Sequence, residues 1–200
     1  MEAAPLQARE LACWRAERVV FAGLSFEVAP GEAILLTGAN GAGKSSLLRV
    51  LAGLVPLAEG ELLWDGADTL AEPQAHARRL RYLGHQDALK PSLTVAENLA
   101  FFARLHGGDV GAALAALNLS ALAGLPARLL SSGQKRRLAL ARLALAPAPL
   151  WLLDEPSVGL DAASVELLRP LLAAHRAQGG MVLAATHLPL PLPDARELRL

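Results

Sequence analysis

Gly38–Ser45 reads GANGAGKS: two glycines separated by four residues, then a lysine and a hydroxyl residue. Glycines at that spacing let backbone N–H groups turn inward around phosphate oxygens. A helix opening directly after the loop adds the favourable partial charge of its N-terminus. Lys44 would reach the β- and γ-phosphates of a nucleotide, and Ser45 would offer its hydroxyl to Mg²⁺. The candidate phosphate contacts are Gly38, Ala39, Asn40, Gly41, Ala42, Gly43, Lys44, Ser45 and Ser46. A chance match is the bland alternative. The chain holds only three lysines, however, and one falls on the required position.

A second constellation is PLWLLDEP, Pro149 to Pro156. It places Asp154 and Glu155 at the end of an apolar run. Adjacent carboxylates on a buried strand repel one another unless a cation is present. Asp154 would hold Mg²⁺, directly or through water. Glu155 would then orient and polarise the water that attacks a γ-phosphate. The plain alternative is a strand ending in ordinary loop acids.

A third stretch, LLSSGQKRRLALAR (Leu129 to Arg142), sets a serine-serine-glycine turn before a basic helix. Ser131 reads as a helix cap. A phosphate at that helix end would be a second use of the same N–H groups. Lys135, Arg136 and Arg137 read as a solvated helix face.

These residues need a scaffold. Short apolar runs alternate with helical patterns, which predicts an α/β fold with a mostly parallel sheet. AILLTG (33–38) reads as a buried strand and KSSLLRVLAGL (44–54) as a helix closed by glycine. LRYLGHQ (80–86), PLWLLDEP and GGMVLAATH (179–187) read as strands with polar residues at their C-terminal ends, where open α/β sheets bind ligands. LSFEVAPGEA (24–33) reads as an antiparallel hairpin before the core. From about Pro91 to Arg142 the pattern is helical throughout, with Thr94 and Glu97 at capping-box spacing. Residues 87 to 145 are therefore expected to be a helical subdomain inserted in a single domain spanning 1–200.

Bulk properties exclude several classes. Formal net charge is zero, with no run of like charges, so nucleic acid is not an expected partner. The lone Cys13 cannot form an internal disulfide and fits a reducing compartment. The first ten residues do not read as a secretory signal. Hydrophobic residues reach 53%, yet no window of spanning length lacks both charge and proline. The apolar excess fits either a docking surface for a membrane protein or a bias toward Ala, Leu and Arg.

The order GANGAGKS, Gln86, LSSGQ, LWLLDEP, SVGLD, His187 resembles the nucleotide-binding domain of an ABC ATPase, and the resemblance covers nearly the whole chain. It implies a P-loop NTPase core with an antiparallel β subdomain and an inserted helical subdomain. It implies a head-to-tail homodimer with two ATP molecules between subunits, the LSSGQ of one facing the phosphate loop of the other. Ser131, Gly133 and Gln134 would then meet the partner's γ-phosphate. Gln86 would link Mg²⁺ and the attacking water to the helical subdomain. His187 would position that water, and Asp161 would lie at the dimer interface, where it also suits a helix N-cap. Trp14 would stack on adenine, though Arg15 fits the spacing about equally well. Ser132 departs from the family's usual glycine.

LGHQDALKPSLTVAENLAFF (83–102) and the short helical region are similar to the ATP-binding subunits of cytochrome c maturation (haem exporter) systems. That implies a peripheral subunit on the cytoplasmic face of the bacterial inner membrane, with a CcmB-like integral permease. The rival expectations are another export ATPase, a soluble ATP-dependent dimer switch, and a small-molecule kinase. The kinase gives no reason for LSSGQ and His187.

Overall fold

The computed structural model describes residues 4–15 and 18–200. Residues 1–3 of the N-terminal stretch, and Ala16 and Glu17 beside Trp14, lie outside the described residues.

Two sheets organise the chain. The first is antiparallel, in the order β2 (Arg18–Val28), β1 (Leu6–Arg15), β4 (Glu59–Trp64), β5 (Ala67–Asp68). The second is parallel, in the order β6 (Leu80–Leu83), β7 (Leu150–Asp154), β8 (Met181–Ala185), β3 (Ala33–Thr37), β9 (Arg196–Arg199). The helices are α1 (Lys44–Leu51), α2 (Pro73–Arg79), α3 (Val95–His106), α4 (Val110–Ala116), α5 (Ser132–Ala141), α6 (Ala162–Glu166) and α7 (Leu168–Ala177).

Strand alternation explains the two cores. Side chains on a strand point to opposite faces in turn, so a sheet covered on both sides needs apolar residues at every position. Trp151 and Leu153 of β7 and Val182 and Ala184 of β8 enter one core with Leu99, Leu114, Leu117 and Leu138 of the helical region. Leu150, Leu152, Met181 and Leu183 enter the other, with Leu47, Leu48 and Leu51 of α1 and Leu6, Leu62 and Trp64 of the antiparallel sheet.

The hairpin expected at 24–33 does not form. β2 pairs with β1, with Leu6 opposite Val28, whereas β3 leaves for the parallel sheet. The turn between them is closed by Glu32 N–H donating to the Ala29 carbonyl at 2.9 Å. The physical reason is exposure. AILLT is apolar enough to be buried between layers, and β2 is half-exposed along its length. The helix expected over 44–54 ends at Leu51, with Gly53 in the left-handed region.

Residues 84–149 run between the adjacent strands β6 and β7 and contain α3, α4 and α5. The stretch is interrupted rather than helical throughout. Asn118 takes φ 53°, two 3₁₀ turns follow, and Thr94 makes an isolated antiparallel bridge with Pro126. The capping box at the start of α3 is present, with Thr94 and Glu97 exchanging hydrogen bonds.

Candidate functional site

The loop from Gly38 to Gly43 leaves the C-terminal end of β3 and enters α1, the crevice position expected of an open parallel sheet. Gly43 is the N-cap of α1 with φ 104°. A Cβ there would lie 2.7 Å from Val20 Cγ1, so the loop and β2 can approach only because this residue is glycine. Lys44 folds back over the loop. Its Nζ donates to the Gly38 carbonyl at 2.7 Å and the Ala39 carbonyl at 3.0 Å.

The loop floors a cavity of about 520 Å³. Asn40, Gly41, Gly43, Lys44, Ser45 and Ser46 line it, with Glu155 at one side and Arg15, Arg18, Val19 and Val20 at the other. Ala42 closes the loop through its N–H to the Ala39 carbonyl at 3.1 Å. Trp14 is exposed and does not line this cavity, whereas its neighbour Arg15 does. Of the two candidates for the stacking position, only Arg15 borders the cavity. Consecutive strand residues point to opposite faces, so the two cannot share it.

The acidic strand end meets the loop. Ser45 Oγ donates to Asp154 Oδ1 at 2.8 Å. Asp154 is 1% exposed, and its Oδ2 is buried without a hydrogen-bond partner. A carboxylate oxygen left alone in a buried site is costly, and a hard cation satisfies it. The donor set, a hydroxyl and a carboxylate, suits Mg²⁺. Among the described residues no group of three or more His, Cys, Asp or Glu could hold a metal. A cation here would complete its shell with phosphate and water oxygens.

Glu155 has φ 51°, a left-handed conformation for a non-glycine residue. That breaks the strand alternation, so Glu155 reaches the cavity while Asp154 faces Ser45. His187 Nδ1 lies 3.0 Å from Glu155 Oε1, and Oε2 is buried and unpartnered. Sequence positions 45, 154, 155 and 187 are thus gathered at one point.

Other expected residues stand elsewhere. Gln86 is exposed on the loop after β6 and does not line the cavity. Asp161 caps α6, accepting from Ser164 N–H at 2.8 Å. Ser131 caps α5 and forms a capping box with Gln134: Gln134 N–H donates to Ser131 Oγ at 3.2 Å, and Ser131 N–H donates to Gln134 Oε1 at 2.8 Å. A Cβ on Gly133 would lie 3.1 Å from the Gly159 carbonyl, so this glycine permits a close backbone approach. Ser131 and Ser132 are exposed, away from the cavity of their own chain.

The basic run is not the wholly solvated face that its sequence suggests. Arg136 is 4% exposed and hydrogen-bonds five acceptors around the acidic strand end. Arg137 Nη1 donates to the Leu117 and Asn118 carbonyls beyond α4. A signal was available. Arg136 lies three and four residues before buried Ala139 and Leu140, on the buried face of the helix. Asp87, its ion-pair partner at 3.0 Å, carried no comparable signal.

A parallel sheet with a phosphate loop, an acidic strand end and a separate capped Ser-Ser-Gly helix defines an ATP-binding domain of the ABC type. The family described as ABC transporter matches residues 21–158. A solved ATP-binding subunit of an ABC transporter superposes with a TM-score of 0.82 at 26% identity, over 92% of this chain and 79% of that one. The cytochrome c biogenesis ATP-binding export protein CcmA of Paramagnetospirillum magneticum is 54% identical over 100% of this chain and 95% of its own. That of Rhodospirillum rubrum is 55% identical over 96% of this chain and 83% of its own. The chain belongs to the ABC transporter family and, within it, to the cytochrome c biogenesis ATP-binding export proteins. It is an ATPase subunit that binds ATP, and a subunit of this kind acts as a dimer with a membrane partner. Among the described residues no helix is long and apolar enough to cross a membrane.

Proposed function

We propose that this chain hydrolyses ATP on the cytoplasmic face of the bacterial inner membrane to energise a CcmB-like permease in cytochrome c maturation, through haem export or release of a haem-loaded chaperone. The relatives named above support the pathway. The hydrolytic part is carried by one observation: the Glu155–His187 pair stands beside the Ser45–Asp154 pair at the mouth of the phosphate loop.

In this reading Lys44 leaves the Gly38 and Ala39 carbonyls and neutralises β- and γ-phosphate oxygens. Ser45 Oγ and Asp154 would hold Mg²⁺, which when bound offsets phosphate charge. Glu155 accepts a proton from water as its oxygen bonds the γ-phosphorus and the bond to the ADP oxygen breaks. His187 holds the Glu155 carboxylate through its 3.0 Å contact and faces the γ-phosphate. Arg15 and Val20 line the wall toward the base. Ser131, Gly133 and Gln134 serve the partner's nucleotide, because they stand off the cavity of their own chain. Gln86 and Asp161 join the site when the dimer closes, and residues 87–145 move as the helical subdomain.

The test is genetic. The gene is deleted in the source bacterium and restored as wild type or Glu155→Gln, and membranes are stained for covalently bound haem. Loss of c-type cytochromes on deletion, restored by wild type alone, is the expected result. An unchanged stain after deletion would assign the ATPase to another exporter. Restoration by Glu155→Gln would remove its hydrolytic role.

A further inference from the structure

Arg136 sits on α5, five residues after Ser131, and belongs to none of the motifs that mark the site. A guanidinium carries five N–H donors in one rigid plane. Here every one has an acceptor. Nε donates to the Pro156 carbonyl at 3.2 Å. Nη2 donates to the carbonyls of Asp154 at 2.9 Å and Glu155 at 2.7 Å. Nη1 donates to the Gly84 carbonyl at 3.1 Å and Asp87 Oδ1 at 3.0 Å.

The acceptors form two groups. Asp154, Glu155 and Pro156 are consecutive carbonyls at the exit of β7. Gly84 and Asp87 flank Gln86 at the exit of the neighbouring strand β6. One buried side chain therefore joins the two loops that carry the acidic pair and the glutamine. The helix holding it presents Ser131 at its start.

Glu155 needs such a hold. Its left-handed φ of 51° is disfavoured for a residue with a Cβ. Its N–H is fixed by the Ala185 carbonyl of β8 at 2.8 Å. Its carbonyl is fixed by Arg136. With the peptide groups on both sides pinned, the carboxylate stays against His187.

We propose that Arg136 is a positioning residue for hydrolysis: it clamps Glu155 in the left-handed conformation and ties that conformation to the loop bearing Gln86. The inference rests on the reading of Glu155 as the residue that activates water. Lysine offers a point ammonium with three donors and cannot span both groups of acceptors. Glutamine reaches fewer still. Without the clamp the Glu155 backbone relaxes and the carboxylate shifts. Displacement by about 1 Å costs on the order of 100-fold in rate. Lys44 and Ser45 are not among the contacts of Arg136, so nucleotide affinity is retained.

The experiment uses the full chain assembled with its membrane subunit. It measures kcat and KM for ATP, and Kd by displacement of a fluorescent ATP analogue. The variants are Arg136→Gln, Arg136→Lys, Asp87→Asn, Glu155→Gln and the double Arg136→Gln/Glu155→Gln. Arg136→Gln is expected to lower kcat by about 10- to 100-fold while Kd stays within about twofold. Arg136→Lys falls between it and wild type. The double variant is no slower than Glu155→Gln alone, as two residues acting through one step require.

If Arg136→Gln does not fold, Asp87→Asn carries the test. It removes the charge of the acceptor on the Gln86 loop while leaving an amide oxygen, and is expected to lower kcat by about threefold or more at unchanged Kd. The clamp is overturned by kcat within about twofold of wild type in the folded variant, or by a loss that multiplies with that of Glu155→Gln. Wild-type turnover in Glu155→Gln overturns the reading of Glu155 and the clamp with it. An inactive Glu155→Gln beside an active Arg136→Gln removes the clamp alone.

Discussion

His175 of α7 stacks on Trp151, with centroids 3.7 Å apart and planes within 5°, and its Nε2 lies 3.1 Å from the Met181 carbonyl. A carbonyl only accepts, so Nε2 carries a proton in this contact. A Cβ on Gly180 would fall 2.2 Å from the ring, so glycine is required beside it. Burial pushes the His175 pKa down from 6.5 to about 4, against the opposing pull of the Met181 bond. Above pH 6.5 folded and unfolded chains are both neutral here, and pH has no effect. As pH falls from about 6.5 toward 4, the unfolded chain takes up a proton that the folded chain refuses, so stability is lost. At pH 5 the loss is about 2 kcal/mol. His76, lowered mainly by burial, acts in the same direction. His175→Phe keeps an aromatic stack and is expected to narrow the gap in urea-unfolding free energy between pH 7.5 and pH 5 by about that amount. An unchanged gap would show that His175 does not titrate in this way.

At the scale of elements, α3 and α5 begin with the same capping chemistry, Thr94 with Glu97 and Ser131 with Gln134. Each cap satisfies N–H groups that the helix leaves free, worth about 1 kcal/mol. Thr94→Ala and Ser131→Ala should therefore lower the urea midpoint by similar amounts. Only Ser131→Ala should also weaken ATP hydrolysis, because only α5 is read as facing a partner's phosphate. Equal hydrolysis in both variants, measured by phosphate release, would reduce Ser131 to a cap. Both boxes were legible in the sequence, since their partners are three residues apart. The pairing of β2 was not, because it depends on Leu6–Arg15, a strand that lies earlier in the chain and packs beside it. Nor were the acceptors of Arg136, which lie up to 52 residues away.

At the scale of the whole molecule, the phosphate loop and the Ser-Ser-Gly helix of one chain do not share a cavity, and in the proposed head-to-tail arrangement a second chain brings them together. ATP that binds the closed dimer better than the open one shifts the population toward closure. Glu155→Gln with ATP and Mg²⁺ is expected to run as a dimer in light scattering, at a concentration where ADP leaves monomers. Persistent monomers under saturating ATP would argue against the head-to-tail arrangement. Much of the apolar content fills the two cores flanking the parallel sheet, while Leu54, Leu70, Phe101 and Leu105 stay exposed.

The chemistry of the phosphate loop and of the acidic strand end could be read from the sequence by itself. Each is a run of consecutive residues whose backbone path and neighbours follow from local spacing. The tertiary structure alone decided that Arg15 rather than Trp14 faces the cavity, that Glu155 turns left-handed to meet His187, and that Arg136 joins two strand exits. Those outcomes depend on which faces pack together, and burial sets that between residues far apart in the chain.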